Sequence, residues 1–251
     1  MSNEIRLNSS KLGTKEYWNS FYKKEIANFQ DNEEDTGECW FDDSDAESKM
    51  IQFLIDKING EELPFGKQEN IKIVDLGTGN GHLLFQLHED ILEECDYQDQ
   101  IKFDFMGIDY SPDSVEFATK IAKQKYPQAA FQFEQVDLLT KENKFLSANT
   151  SQFDILLDKG TLDAIALNQD PISELGDKIG MDVYASQVSQ LMHQNSVLLI
   201  TSCNFTESEL IKIITQDKTN SLSVWNKIDY PSFQFGGVKG STICSIAFIK
   251  N

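Results

Sequence analysis

The chain has 251 residues and a formal net charge of −19, with 40 % hydrophobic and 25 % charged residues, the make-up of an ordinary folded protein long enough to build a full core without covalent staples. A field of that sign repels phosphate backbones and favours cationic partners, and Arg6 is the sole arginine; a nucleic-acid substrate is disfavoured and a basic protein substrate favoured. No run approaches the roughly 20 apolar residues of a membrane span, the N-terminus carries neither a secretory nor a transit pattern, and Cys39, Cys95, Cys203 and Cys244 form no CxxC pair, so neither zinc nor a redox dithiol is expected and the chain reads as cytoplasmic.

In chain order, "TKEYWNSFYKKEIANF" places Tyr17, Phe21, Ile26 and Phe29 near helical spacing and predicts an amphipathic helix. "DTGECWF" is a turn ending in aromatics, and "DDSDAESKMIQFLIDKI" opens with capping residues ahead of an apolar stripe. "NGEELPFGKQEN" supplies Gly60, Pro64 and Gly66 as a linker, which divides an N-terminal helical extension, residues 1–60, from a core, residues 61–251. From there short apolar runs recur at Ile71–Asp75, Phe103–Asp109, Phe131–Asp137, Phe153–Asp158 and Val197–Thr201. Helical stretches at His82–Glu94, Pro112–Tyr126 and Met181–His193 separate several of them. That alternation predicts an α/β fold with a parallel sheet covered on both faces. The pieces "TKENKFLSANTSQ" and "NQDPISELGDKIG" read as loops, and "VWNKIDYPSFQF" and "STICSIAFIKN", joined through "GGVKG", predict a closing antiparallel hairpin.

Ligands of an open parallel sheet bind outside the carboxyl ends of its strands. Four of the five core runs end there in a carboxylate, namely Asp75, Asp109, Asp137 and Asp158, which predicts a negative rim for a cation or for a ligand rich in hydroxyl and amino donors. Single aspartates also start turns and cap helices, so the argument lies in their number. After the first run, Gly77, Thr78, Gly79 and Gly81 spell G-x-G-x-G, not the dinucleotide pattern G-x-G-x-x-G, whose third glycine would fall at His82; nor is there a G-K-[ST] for a triphosphate. Glycines there let the backbone bend and approach a ligand closely, although tight strand–helix turns use glycine anyway. Asp109, followed by Ser111 and Pro112 as a helix start, is placed to accept both hydroxyls of a ribose. Asp137 is placed to accept an adenine amino group, with Leu138 against the ring. An adenosine without phosphate follows, and S-adenosylmethionine fits, since it adds a sulfonium cation to the diol and the amino group.

The segments "VDLGTGNG", "GIDYS" and "VDLL" resemble the successive cofactor motifs of the seven-strand, class I methyltransferases. The resemblance implies a Rossmann-like sheet ordered 3-2-1-4-5-7-6 with strand seven antiparallel. Over nearly the whole chain, "LGTKEYW", "DTGECWF", "DKGTLDAIALN", "ITSCN" and "FQFGG" are similar to the lysine methyltransferases of translation elongation factor 1-alpha. What that implies is mono- and dimethylation of a lysine on the factor, by a family also linked to intracellular transport. It further implies that Gly77, Thr78, Gly79 and Gly81 line the methionine and ribose side, with Asp75 beside them. Asp109 and Tyr110 would hold the ribose, Asp137 and Leu138 the adenine, and Asp158 would face the methionine amino group or position the incoming amine. Trp40 resembles a lid residue, or else a core tryptophan. Tyr230, Phe233 and Phe235 would form a lysine channel by cation–π contact, or else pack an edge strand.

Rival readings are a methyltransferase for another basic protein or a small molecule, and a cofactor-binding module without catalysis. A nucleobase or glutamine methyltransferase is disfavoured by "DKGT" where an N/D-P-P-Y/F/W motif would stand, and a nicotinamide-dependent oxidoreductase by the misplaced third glycine. The three histidines offer no catalytic order, with His82 at a helix start and His88 and His193 isolated on helices. No coiled coil argues for more than a monomer.

Overall fold

The computed structural model describes residues 5–97, 99–231, 233–235, 238–240 and 242–251, the last two short strands by their backbone only. Seven strands form one mixed sheet: β1 (Asn70–Leu76), β2 (Lys102–Asp109), β3 (Phe131–Gln135), β4 (Phe153–Lys159), β5 (Met192–Ser202), β6 (Leu222–Ile228) and β9 (Cys244–Lys250). Their order is β3-β2-β1-β4-β5-β9-β6, with β9 antiparallel to both neighbours and β1 to β5 parallel, which is the 3-2-1-4-5-7-6 arrangement expected. A two-stranded hairpin, β7 (Phe233–Phe235) with β8 (Val238–Gly240), intervenes before β9.

The apolar runs become strands because both faces are covered. Val74, Leu76, Ile108, Leu156, Leu198 and Ile200 meet one helical layer, and Ile71, Ile73, Ile155, Leu157, Val197 and Leu199 the other. The helices are α1 (Lys15–Asp31), α2 (Ala46–Asn59), α3 (His82–Glu94), α4 (Pro112–Lys125), α5 (Lys144–Ala148), α6 (Thr161–Ala166), α7 (Gly180–Val188) and α8 (Glu207–Thr215). Four depart from the sequence reading, the first being α6, where no helix was expected. The stretch taken as a loop before β4 holds α5, capped by Asn143. The segment after β5 holds α8, which a reciprocal Thr206–Glu209 capping box starts. The helix expected over Met181–His193 stops at Val188, and His193 lies on β5 because Met192 already pairs with Phe153.

The N-terminal extension shares its core with the sheet's helices. Tyr22, Ile26 and Phe29 of α1 pack with Phe85 of α3 and Phe117 and Ile121 of α4, while Met50, Ile51, Leu54, Ile55 and Ile58 of α2 join the layer over β1 and β4. Each such aliphatic side chain contributes about 1.5–3 kcal/mol when fully buried. The capping residues expected before α2 do not bond: Asp45 occupies the N-cap in a left-handed conformation with its side chain unused as a cap. Among the described residues, no helix is long and apolar enough to cross a membrane.

Candidate functional site

The carboxyl ends of β3, β2, β1 and β4 lie side by side and carry Asp137, Asp109, Asp75 and Asp158 on one edge. The negative rim expected there is largely buried. Asp75, Asp109 and Asp158 are 3 %, 6 % and 0 % exposed, and Asp137, two residues past the end of β3, is the exposed member.

Asp109 is tied to the glycine turn. Its Oδ2 accepts from the Gly79 amide at 3.1 Å and its Oδ1 from the Ser111 amide at 2.8 Å, while the Ser114 hydroxyl donates to the Gly79 carbonyl at 2.7 Å. The turn and the carboxylate are therefore one unit, and each carboxylate oxygen keeps a lone pair beyond these bonds. Burial raises the Asp109 pKa, against the lowering effect of those bonds. Gly77, Gly79 and Gly81 all have positive φ, at 67°, 59° and 82°, a backbone region that side chains rarely adopt. Close approach adds a second constraint at Gly79, where a Cβ would stand 2.6 Å from the Tyr22 hydroxyl on α1.

Asp75 is pushed up to about 7, first by burial and then by the charges of Asp158 and Glu47, with Lys159 acting the other way. The Thr78 hydroxyl is buried beside it without a partner of hydrogen-bond geometry. Next to Asp109, Tyr110 is half-buried, with Lys15 Nζ 5.6 Å from its ring centre. Asp137 accepts from the Leu139 amide at 3.0 Å. Leu138 is buried in the core, so of that pair Asp137 alone stands open to solvent.

Asp158 does not fit the role of meeting the cofactor amine or the incoming lysine. Its Oδ2 accepts from the Tyr184 hydroxyl at 2.5 Å, and the Thr161 and Leu162 amides at the start of α6 donate to it at 2.8 Å and 3.1 Å. Burial, then the nearby Asp163, raises it to about 7. Its folded value lies above the ordinary carboxylate value of about 3.9, so the stability it lends at low pH is withdrawn as pH rises toward 7. Tyr184→Phe leaves this carboxyl short of a donor and is expected to cost about 1–3 kcal/mol in chemical denaturation.

The N-terminal segment closes over the edge. Trp40 packs edge-on against Trp18, at 5.3 Å between ring centres, and against Phe21 at 6.1 Å, and its Nε1 is buried without a partner. Its carbonyl accepts from Lys159 Nζ at 2.9 Å. The Phe41 ring lies on Gly160 in "DKGT", so that a Cβ there would meet it at 2.6 Å. Asn80 of the glycine turn donates to the Thr36 and Glu38 carbonyls at 3.0 and 3.2 Å. Composition and spacing gave no reason to single out Tyr22, Glu47, Asn80, Lys159 or Tyr184, although Asn80 and Lys159 stand inside motifs already quoted. His82, read as uninformative, contacts Glu47 through Nδ1.

Tyr230 reaches the same edge two strands beyond β4, at β9. Its hydroxyl lies 2.8 Å from Ser245 Oγ, and Ser245 pairs with Thr201, the register partner of Lys159. Phe233 and Phe235 lie on β7, and their side chains fall outside the described residues.

The buried carboxylates of Asp75 and Asp109 at the glycine turn, with lone pairs to spare on Asp109, suit a nucleoside with a cationic tail better than a phosphate. A family model described as a methyltransferase domain matches residues 67–237. The chain is 46 % identical over 250 residues to protein-lysine N-methyltransferase EFM4 of Saccharomyces cerevisiae, covering 100 % of this chain and 99 % of that one. It is 30 % identical over 239 residues to EEF1A lysine methyltransferase 2 of Danio rerio, covering 95 % and 88 %. Among solved structures, magnesium protoporphyrin IX methyltransferase from Synechocystis with bound SAM superposes with a TM-score of 0.53 at 15 % identity, over 97 % of this chain and 99 % of that one.

Proposed function

This chain belongs to the methyltransferase-domain family and, within it, to the protein-lysine N-methyltransferases typified by EFM4 and EEF1A lysine methyltransferase 2, and we propose that it mono- and dimethylates a lysine of translation elongation factor 1-alpha in the cytoplasm. The observation that carries the cofactor half of this reading is the Asp109–Gly79 contact, which fuses a ribose-accepting carboxylate to the glycine turn. The substrate half rests on the full-length likeness to EFM4, and the net charge of −19 agrees with a basic partner.

S-adenosylmethionine, when bound, supplies an electrophilic methyl group on a sulfonium. Asp109 and Tyr110 are proposed to hold the ribose, Asp137 the adenine edge, and Gly77, Thr78 and Gly79 the methionine side. Asp75 faces the cationic end of that ligand in this reading. The attacking lysine starts with a pKa of about 10.4 and must become neutral; exclusion of water by Trp40 and the N-terminal segment favours that, as does a nearby cation. Asp158 acts at one remove by fixing Thr161 and the start of α6, so the proton leaves through water and the rate comes largely from held geometry. Tyr230, Phe233 and Phe235 remain the proposed lysine channel.

The direct test is methyl transfer to purified elongation factor 1-alpha followed by mass spectrometry of its lysines. Mono- and dimethyl-lysine at one site is expected, and an unmodified factor beside a methylated alternative protein would refute the assignment. Asp75 adds a pH signature. With a value of about 7 before binding, it is mostly neutral at pH 6 and mostly ionised at pH 8, and only the ionised form attracts a cation. Affinity for S-adenosylmethionine is expected to be about tenfold tighter at pH 8 than at pH 6, with the slope flattened in Asp75→Asn; calorimetry at both pH values checks it.

A further inference from the structure

Glu47, on the first turn of α2 and 7 % exposed, touches three separate parts of the chain. One oxygen lies 2.5 Å from His82 Nδ1, at the first residue of α3 behind the glycine turn. The other accepts from the Cys39 thiol at 3.5 Å and lies 3.4 Å from Lys159 Nζ at the end of β4. A buried carboxylate costs several kcal/mol unless compensated, and here the Lys159 ammonium and the His82 ring face it. The Cys39, Glu47 and His82 ligand atoms lie within 4.8 Å of one another, a donor set that would also suit zinc. Charge decides between the two readings. The Lys159 ammonium sits 3.4 Å from the same carboxylate, so a positive charge already stands where a metal ion would have to approach.

We propose that Glu47 is a positioning residue that latches residues 36–41 across the glycine turn and the turn after β4, so that closure of this segment and cofactor binding are one coupled event. The inference rests on the cofactor site proposed above. Each end of the segment is anchored on a different turn, Thr36 and Glu38 on Asn80 and Trp40 on Lys159. Immediately after Trp40, Phe41 holds a φ of 69°, a conformation that a bulky side chain keeps only when its surroundings impose it. Glu47 joins the two turns through His82 and Lys159. Without its charge, the Lys159 ammonium loses its carboxylate partner and the two turns lose the side chain that joins them, so the segment is held less firmly on the edge.

The test uses the full chain and calorimetric binding of S-adenosylhomocysteine, together with the KM values for cofactor and for elongation factor. Glu47→Gln is expected to weaken binding about tenfold or more and to raise the cofactor KM while leaving the protein-substrate KM unchanged, a split that simple loss of stability would not produce. Lys159→Met, which removes the other end of the same pair, is expected to do likewise, and the double variant Glu47→Met with Lys159→Met should be no weaker than either single change. If Glu47→Gln does not fold, Lys159→Met decides alone. Binding within about twofold of wild type in these variants overturns the latch. A wild-type protein that binds no cofactor sinks the cofactor reading and the latch with it. Stoichiometric zinc in the purified protein, lost in Cys39→Ser, overturns the latch in favour of a metal staple.

Discussion

Asp109→Ala is expected to abolish measurable cofactor binding at ordinary concentrations, weakening it about a hundredfold or more, while the chain stays folded. The carboxylate contributes in two ways. In the proposed site it offers charge-assisted acceptors to the ribose hydroxyls, each worth about 1.5–3 kcal/mol, and two such bonds convert to roughly two to four powers of ten in affinity. It also holds the Gly79 and Ser111 amides at 3.1 and 2.8 Å, so its removal loosens the turn that shapes the rest of the site. Asp109→Asn keeps one acceptor oxygen and should fall between the alanine variant and wild type. Asp137→Ala, at an exposed position bonded only locally to the Leu139 amide, should cost far less. Calorimetry with S-adenosylmethionine ranks the three, and far-ultraviolet circular dichroism guards against unfolding. An Asp109→Ala protein that binds within about threefold of wild type would remove the central support of the functional reading.

The sheet was legible because its signal is local. Five apolar runs bounded by turn residues can be read one at a time, and "GGVKG" between two β-rich runs announces the antiparallel return. The short helices α5 and α8 escaped because their cue is a cap, at Asn143 and at Thr206 with Glu209, rather than a long apolar period. At the site, the glycine turn and Asp109 stood out because each follows directly on an apolar run, and the structure brings the two together. Glu47, Tyr22 and Tyr184 did not, since their roles arise from contacts 35, 57 and 26 residues away along the chain, to His82, Gly79 and Asp158. The same blindness gave Asp158 too direct a role. A strand-end aspartate looks the same in sequence whether it opens to a ligand or, as here, accepts from a buried tyrosine and a helix start.

Two alanine substitutions in the one turn are expected to fail differently, and the contrast tests how the turn is built. Gly77 and Gly79 both carry positive φ, so each variant loses about 1 kcal/mol or somewhat more to the backbone alone. At Gly77 the added Cβ would stand 2.2 Å from Thr161 Oγ1 and 3.0 Å from Thr161 Cβ. Thr161 cannot withdraw, because its hydroxyl donates to the Leu76 carbonyl and its amide to Asp158. Relief therefore requires β1 and α6 to part, with overpacking of about 1–3 kcal/mol and a lost hydrogen bond of about 1 kcal/mol added to the backbone strain. Gly77→Ala should lose about 3–5 kcal/mol of stability, a large share of what a domain possesses, and its activity with it. At Gly79 the obstacle is the tip of Tyr22, at 2.6 Å, while its next ring atom stands 3.5 Å away. A side-chain tip can swing aside, which lifts α1 from the turn while leaving the sheet intact. Gly79→Ala should keep most of its stability and lose cofactor affinity instead. Denaturant midpoints and binding isotherms for the two proteins separate these outcomes, and equal stability losses in both would show that Thr161 does not brace the turn in the way its hydrogen bonds require.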